Sequence, residues 1–126
     1  MEPERITTKN IIQTLSVLSG IINRLVQKEC VQTSSITIVS DLEYSKSAFS
    51  TEEKIGPYKI NYSDRNIKEG EIRFRTVSQF KGLESDIIIY LISPTHKMID
   101  VKAQKKEDYV AITRARYYLY VVKQEG

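Results

Sequence analysis

Two short segments of this sequence carry residue types and spacings suited to chemistry on an anion. Thr76-Val77-Ser78-Gln79-Phe80-Lys81-Gly82-Leu83-Glu84 gathers two hydroxyls, a Lys-Gly step and a carboxylate within nine residues. A glycine lets backbone amides come close to a phosphate, and a neighbouring lysine adds a cation. A carboxylate such as Glu84 can accept from a sugar hydroxyl or from a metal-bound water. Taken alone, the segment reads more simply as a polar turn between two strands. The second segment, Tyr109-Val110-Ala111-Ile112-Thr113-Arg114-Ala115-Arg116, sets a guanidinium among short neighbours. That leaves room for an anion brought from outside the domain, although a helix C-terminus by itself also favours arginine.

The elements that must position these segments follow from apolar spacing. Ile11, Ile12, Leu15, Leu18, Ile22, Leu25 and Val26 recur at three- and four-residue intervals, which predicts an amphipathic helix from Thr8 to Lys28 with Thr7 or Thr8 as its cap. The β-branched Ile36 to Val39 reads as a buried strand, with Ser40-Asp41 able to cap a helix over about 42–50. Gly56-Pro57 punctuates, Tyr58 to Tyr62 reads as a short strand, 66–70 as a loop and Glu71 to Thr76 as a strand. The unbroken apolar run from Asp86 to Ser93 is the strongest strand signal, because absence of alternation implies burial on both faces. A helical pattern covers Val101 to Arg116, and Tyr117 to Val122 closes as a strand. Helices alternating with buried strands predict an α/β layered domain whose central sheet is mostly parallel.

Composition narrows the classes. A chain of 126 residues, 40% hydrophobic and 28% charged, can bury one core unaided. The net charge of +3 is too small for a polybasic anchor, but it is uneven: residues 65–126 hold 12 Lys/Arg against 8 Asp/Glu, and residues 1–64 hold 7 against 8. An anion site belongs in the second half. With one cysteine, Cys30, and one histidine, His96, neither an internal disulfide nor a Cys/His zinc site can form. The longest apolar run, Ile87 to Ile92, is far short of the roughly 20 residues of a spanning helix. A soluble, cytoplasmic protein with no membrane partner is expected.

Together and in this order, the two segments resemble motifs V and VI of superfamily 1 helicases of the UvrD/Rep/PcrA type, roughly T-x-H-x-x-K-G-L-E and Y-V-A-x-T-R-A. Thr76, Lys81, Gly82, Leu83 and Glu84 fit the first, and Tyr109, Val110, Ala111, Thr113, Arg114 and Ala115 fit the second. The likeness is sharp over about residues 71–122. It implies a RecA-like domain of P-loop NTPase type, the second (2A) of two, spanning 1–126 as a single unit. No Gly-x-x-x-x-Gly-Lys-Ser/Thr occurs and no apolar strand ends in Asp-Glu. ATP and Mg2+ are therefore expected to be held mainly by an N-terminal RecA-like domain not in this chain. The family's Asn-Tyr-Arg motif IV is also missing, and only about fifteen residues separate Gly56 from Glu71. The chain reads as a fragment beginning after motif IV, with the 2B insertion absent or omitted.

The resemblance implies roles residue by residue. Arg114 would be the arginine finger that reaches the γ-phosphate of ATP on the other RecA-like domain. Gly82 and Glu84 would border the nucleotide's phosphates and sugar. Thr76 and Ser78, two apart at a strand end and so facing one side, would touch the backbone of single-stranded DNA. Ser78 stands where many members carry histidine, and Ser85 where phenylalanine is frequent. Lys81 serves the site or is a solvated or Glu-paired lysine. Tyr109 belongs to the core with its hydroxyl near the cleft, Thr113 gives Arg114 room, and Phe80 packs. The whole enzyme would be an ATP-dependent 3′-to-5′ translocase or helicase. The rivals are a non-catalytic docking module of the same fold and an RNA-directed or nuclease-fused relative.

Overall fold

The computed structural model describes residues 4–41, 54–62, 67–80, 85–92 and 115–125. The elements in chain order are β1 (Glu4–Thr8), α1 (Ile11–Asn23), β2 (Ile36–Ser40), β3 (Lys54–Ile55), β4 (Tyr58–Asn61), β5 (Glu71–Thr76), α2 (Val77–Phe80), β6 (Ser85–Ile92) and β7 (Ala115–Gln124). All seven strands join one sheet in the order β1-β7-β6-β2-β5-β4-β3. Every pair is parallel except the β3–β4 hairpin. This is the mostly parallel α/β sheet that the alternation of patterns predicts.

The sheet is central because its strands bury both faces. On one face Ile36 and Ile38 of β2, Ile72 and Phe74 of β5, and Ile87, Ile89 and Leu91 of β6 pack under Leu18 and Ile22 of α1 and Leu25 just beyond it. On the other, Val39, Ile88, Tyr90, Leu119 and Val121 pack with Val77 and Phe80 of α2. Over 87–92 the run thus lacks alternation for the expected reason, with successive side chains entering opposite layers. The helix expected over 42–50, and residues 101–114 of the one expected over 101–116, lie outside the described residues.

Several expectations need correction. β1 has no apolar alternation to announce it. It is an edge strand held by parallel pairing to β7 and by a buried polar knot, in which the Thr8 and Thr14 hydroxyls lie 2.6 Å apart and Thr14 lies 3.1 Å from the Gln124 amide oxygen. The first helix therefore starts at Ile11, and its cap is Asn10, whose Oδ1 accepts from the Gln13 N–H at 2.9 Å, not Thr7 or Thr8. Ile12, counted with the apolar face, is 76% exposed. β7 begins at Ala115, two residues before Tyr117, so Ala115 and Arg116 are strand.

α1 does not stop at Asn23 but widens into a π-helical turn, Arg24–Lys28, closed by Glu29 N–H to the Arg24 carbonyl. Cys30 then takes a left-handed conformation (φ 57°), and the Val31 N–H bonds back to the Leu25 carbonyl at 2.9 Å. The hairpin turn between β3 and β4 needs Gly56, since φ is +59° and a Cβ there would sit 2.7 Å from the Ser19 hydroxyl oxygen.

Candidate functional site

The segment 76–84 links opposite edges of the sheet. Thr76 ends β5 at the carboxyl edge, paired with Ser40, which is itself paired with Leu91 of β6. Ser85, at the far end of the segment, opens β6 six residues before Leu91. At about 3.3 Å per residue the two ends are offset by roughly 20 Å along the strands. Thr76, read from one motif with the Lys-Gly-Leu-Glu step, thus lies at the opposite end of the strands from Ser85.

At the carboxyl edge, the strand-end geometry expected for Thr76 and Ser78 does not hold, because the chain turns helical at Val77. Thr76 and Gln79 form a capping box: the Gln79 N–H donates to Thr76 Oγ1 at 3.1 Å and the Thr76 N–H donates to Gln79 Oε1 at 2.9 Å. The Thr76 oxygen is engaged as an acceptor, while its proton is still available to donate outward. The Ser78 side chain lies outside the described set. Phe80 is 1% exposed, packed as expected and unable to reach a base. Arg75, passed over in the sequence, is 4% exposed and donates from Nη1 to the Asn61 and Phe74 carbonyls at 2.8 and 2.7 Å. Its only sequence signal was a charge inside a strand otherwise half apolar.

At the amino edge, Ser85 pairs with Ala115 across β6 and β7, with an irregularity before the Ile87–Tyr118 pair. Glu84 and Arg114 are the residues immediately preceding this pair in the chain. They lie outside the described residues, as do Lys81, Gly82, Tyr109 and Thr113. Ser85, which replaces a bulky aromatic of the resembled motif, is buried. It accepts from the Thr37 hydroxyl at 3.1 Å and lies 3.1 Å from the Ser35 and Ile87 carbonyls, to either of which its proton can go. A phenylalanine could not make these bonds. Its small side chain lets β6 enter the sheet tight against β2.

The same edge holds an open cleft of about 680 Å³, with Val31, Ser34, Tyr58, Ile67, Lys68 and Gly70 among its walls. Beneath it, Glu71 accepts from the Lys68 N–H at 2.9 Å and from the Asn61 amide at 3.2 Å, and these bonds lower its carboxyl pKa, the backbone one most. On the far side, Arg24 donates to the Tyr120 hydroxyl at 3.0 Å, which raises the already high guanidinium pKa, and lies 3.9 Å from Glu4. Among the described residues no group of three His, Cys, Asp or Glu is placed to hold a metal ion, and no helix is long and apolar enough to cross a membrane.

A family model described as AAA domain matches residues 4–125. Among solved structures, the crystal structure of the C-terminal domain of a possible DNA helicase from Lactobacillus plantarum WCFS1 superposes with a TM-score of 0.76 at 15% identity, covering 97% of this chain and 73% of that one. No curated protein matches the chain. The likeness identifies the layering as the RecA-like α/β fold with a mostly parallel sheet.

Proposed function

This chain belongs to the AAA domain family, and from that premise we propose that it is the C-terminal RecA-like (2A) motor domain of an ATP-dependent, 3′-to-5′ single-stranded-DNA translocase or helicase of superfamily 1, UvrD/Rep/PcrA type. The reading is supported by the motif V and VI residues, and by a fold shared with the C-terminal domain of a protein described as a possible DNA helicase. The observation that carries it is the Ser85–Ala115 pairing. Two segments about thirty residues apart in sequence resume the sheet side by side, each directly after the residue that matches a nucleotide-contacting position of its motif. Neighbouring parallel strands begin on one edge, so this pairing is what the two motifs need in order to act on one ligand.

In this reading Arg114 donates its planar fork to charge that develops on the transferred phosphoryl group, a contribution worth roughly 10³–10⁵-fold in rate for arginine fingers. Glu84 accepts from the ribose, Gly82 leaves room for the phosphates, Thr113 leaves room for Arg114, and Lys81 and Tyr109 support the edge. ATP and Mg2+ are held mainly by the N-terminal RecA-like domain, whose nucleotide this edge covers. Thr76 and Ser78 contact the DNA backbone at the opposite edge. Separating the two by roughly 20 Å lets closure on nucleotide at one edge shift the strand track at the other.

The test is ATP hydrolysis by the two-domain protein, with and without single-stranded DNA. DNA-stimulated turnover that depends on Arg114 is the expected result. Turnover indifferent to Arg114 would leave the docking-module alternative standing.

A further inference from the structure

The carboxyl edge of the sheet carries an aromatic ring that neither motif accounts for. Tyr62 directly follows the last residue of β4 and is 55% exposed. Among the described residues the other exposed ring, Tyr118, lies toward the amino end of β7, paired with Ile87. β4 runs parallel to β5 with Asn61 opposite Arg73, so Tyr62 stands level with Phe74, two residues short of Thr76 on the neighbouring strand. At about 3.3 Å per residue and about 4.8 Å between strands, the Tyr62 and Thr76 Cα atoms are roughly 8 Å apart.

The backbone that carries this ring is pinned. Asn61 pairs in the β4–β5 ladder, its side-chain amide donates to Glu71 at 3.2 Å, and its carbonyl accepts from Arg75 Nη1 at 2.8 Å. Arg75 is 4% exposed, and the same nitrogen donates to the Phe74 carbonyl at 2.7 Å. A buried guanidinium is costly unless its donors are engaged, and these bonds tie the end of β4 to β5 immediately before Thr76. Tyr62 therefore leaves from a fixed point. Ordering its ring on a ligand costs less than ordering a ring carried by a loose loop.

Resting on the reading of Thr76 as a single-stranded-DNA contact, we propose that Tyr62 is the base platform of that track, its ring stacking on a base of the strand whose backbone accepts from the Thr76 hydroxyl. The two residues offer different chemistry to one ligand. A hydroxyl donates to a phosphate oxygen but has nothing to set against the flat face of a base. Phe80, four residues after Thr76, is buried and takes no part. An exposed tyrosine presents a π-face that any base can cover, which gives affinity without sequence preference. The separation of roughly 8 Å suits neighbouring nucleotides of one strand, one held by its phosphate and the other by its base.

The experiment measures binding of the two-domain protein to fluorescein-labelled oligothymidylate by anisotropy, at one fixed salt concentration because phosphate contacts make affinity salt-dependent. Tyr62→Ala is expected to raise Kd at least about fivefold, the lower end of what one stacked base contributes. Tyr62→Phe, which keeps the ring, should match wild type, and Tyr62→Leu, which keeps apolar bulk without a π-face, should match Tyr62→Ala. On the same strand with abasic sites in place of its bases, the ratio of Tyr62→Ala to wild type should fall to near one. An equal loss on both strands, which a merely structural role would give, overturns the platform, and so does a Tyr62→Phe as weak as Tyr62→Ala. Thr76→Ala on the same strands separates the two levels. If it weakens binding while Tyr62→Ala does not, the platform alone falls, and if neither does, both readings fall.

Discussion

Thr76 and Gln79 cap each other across a single helical turn at the carboxyl edge of the sheet, each backbone N–H donating to the other's side chain. The residue matched to a DNA-contacting position is thus also the residue that stops β5 and starts α2. Any substitution at Thr76 has two consequences, and only a paired experiment tells them apart.

We expect Thr76→Ala and Gln79→Ala each to lower stability by about 1 kcal/mol in urea unfolding, the usual cost of losing a helix cap. Because both remove the same box, the double variant should lose less than the sum. In the two-domain protein, Thr76→Ala should raise the DNA concentration for half-maximal ATPase more than Gln79→Ala does, since only the former deletes the hydroxyl. Ser78→Ala should have a smaller effect. Equal shifts for Thr76→Ala and Gln79→Ala would assign Thr76 to the cap alone.

At the other edge, Ser85→Ala removes the acceptor of the buried Thr37 hydroxyl. Leaving a buried donor unsatisfied costs on the order of 1–3 kcal/mol. The loss should shrink when Thr37→Val is added, since both partners are then apolar. Ser85→Phe, which restores the residue frequent in the resembled motif, should destabilise more than Ser85→Ala, because β6 enters the sheet against β2 with no space for a ring. Thermal melts of the three variants decide this, and a stabilising Ser85→Phe would show that the edge tolerates a wider entry.

Glu71 supplies the pH dependence. Its carboxyl pKa is lowered in the folded protein by the Lys68 N–H and then by the Asn61 amide. A lowered folded pKa means that its contribution is complete above the ordinary glutamate value and is lost as pH falls through the folded value. Glu71→Gln keeps the shape and removes the titration. The gap in Tm between wild type and Glu71→Gln should therefore be widest at neutral pH and close on acidification, whereas a gap independent of pH would mean that charge plays no part.

Much of this fold was legible because burial writes itself into residue type. Ile36 to Val39 and the run after Asp86 could only be interior strands, and Glu71 to Thr76 has its strand bounds as read. β1 was not legible, since an edge strand of Glu-Arg-Ile-Thr-Thr is held by backbone pairing and by a polar knot with residues over a hundred positions away. Nor was the two-residue β3, too short for any pattern. In the site, Thr76-x-x-Gln79 is a capping-box signature visible in the sequence, obscured by reading Thr76 and Ser78 as one strand end. Arg75 and Ser85 were hidden for another reason: that a charge or a hydroxyl is buried depends on which carbonyls reach it after folding.

The most direct measurement is DNA-stimulated ATP hydrolysis by the two-domain protein carrying Arg114→Ala and, separately, Arg114→Lys. A finger acts mainly in the transition state, so Arg114→Ala should lower kcat at least about a hundredfold with nucleotide binding nearly intact. Arg114→Lys should restore little, because an ammonium cannot reproduce the planar fork. Near-normal turnover in both variants, in a protein that still binds ATP, would contradict the assignment of this edge to phosphoryl transfer.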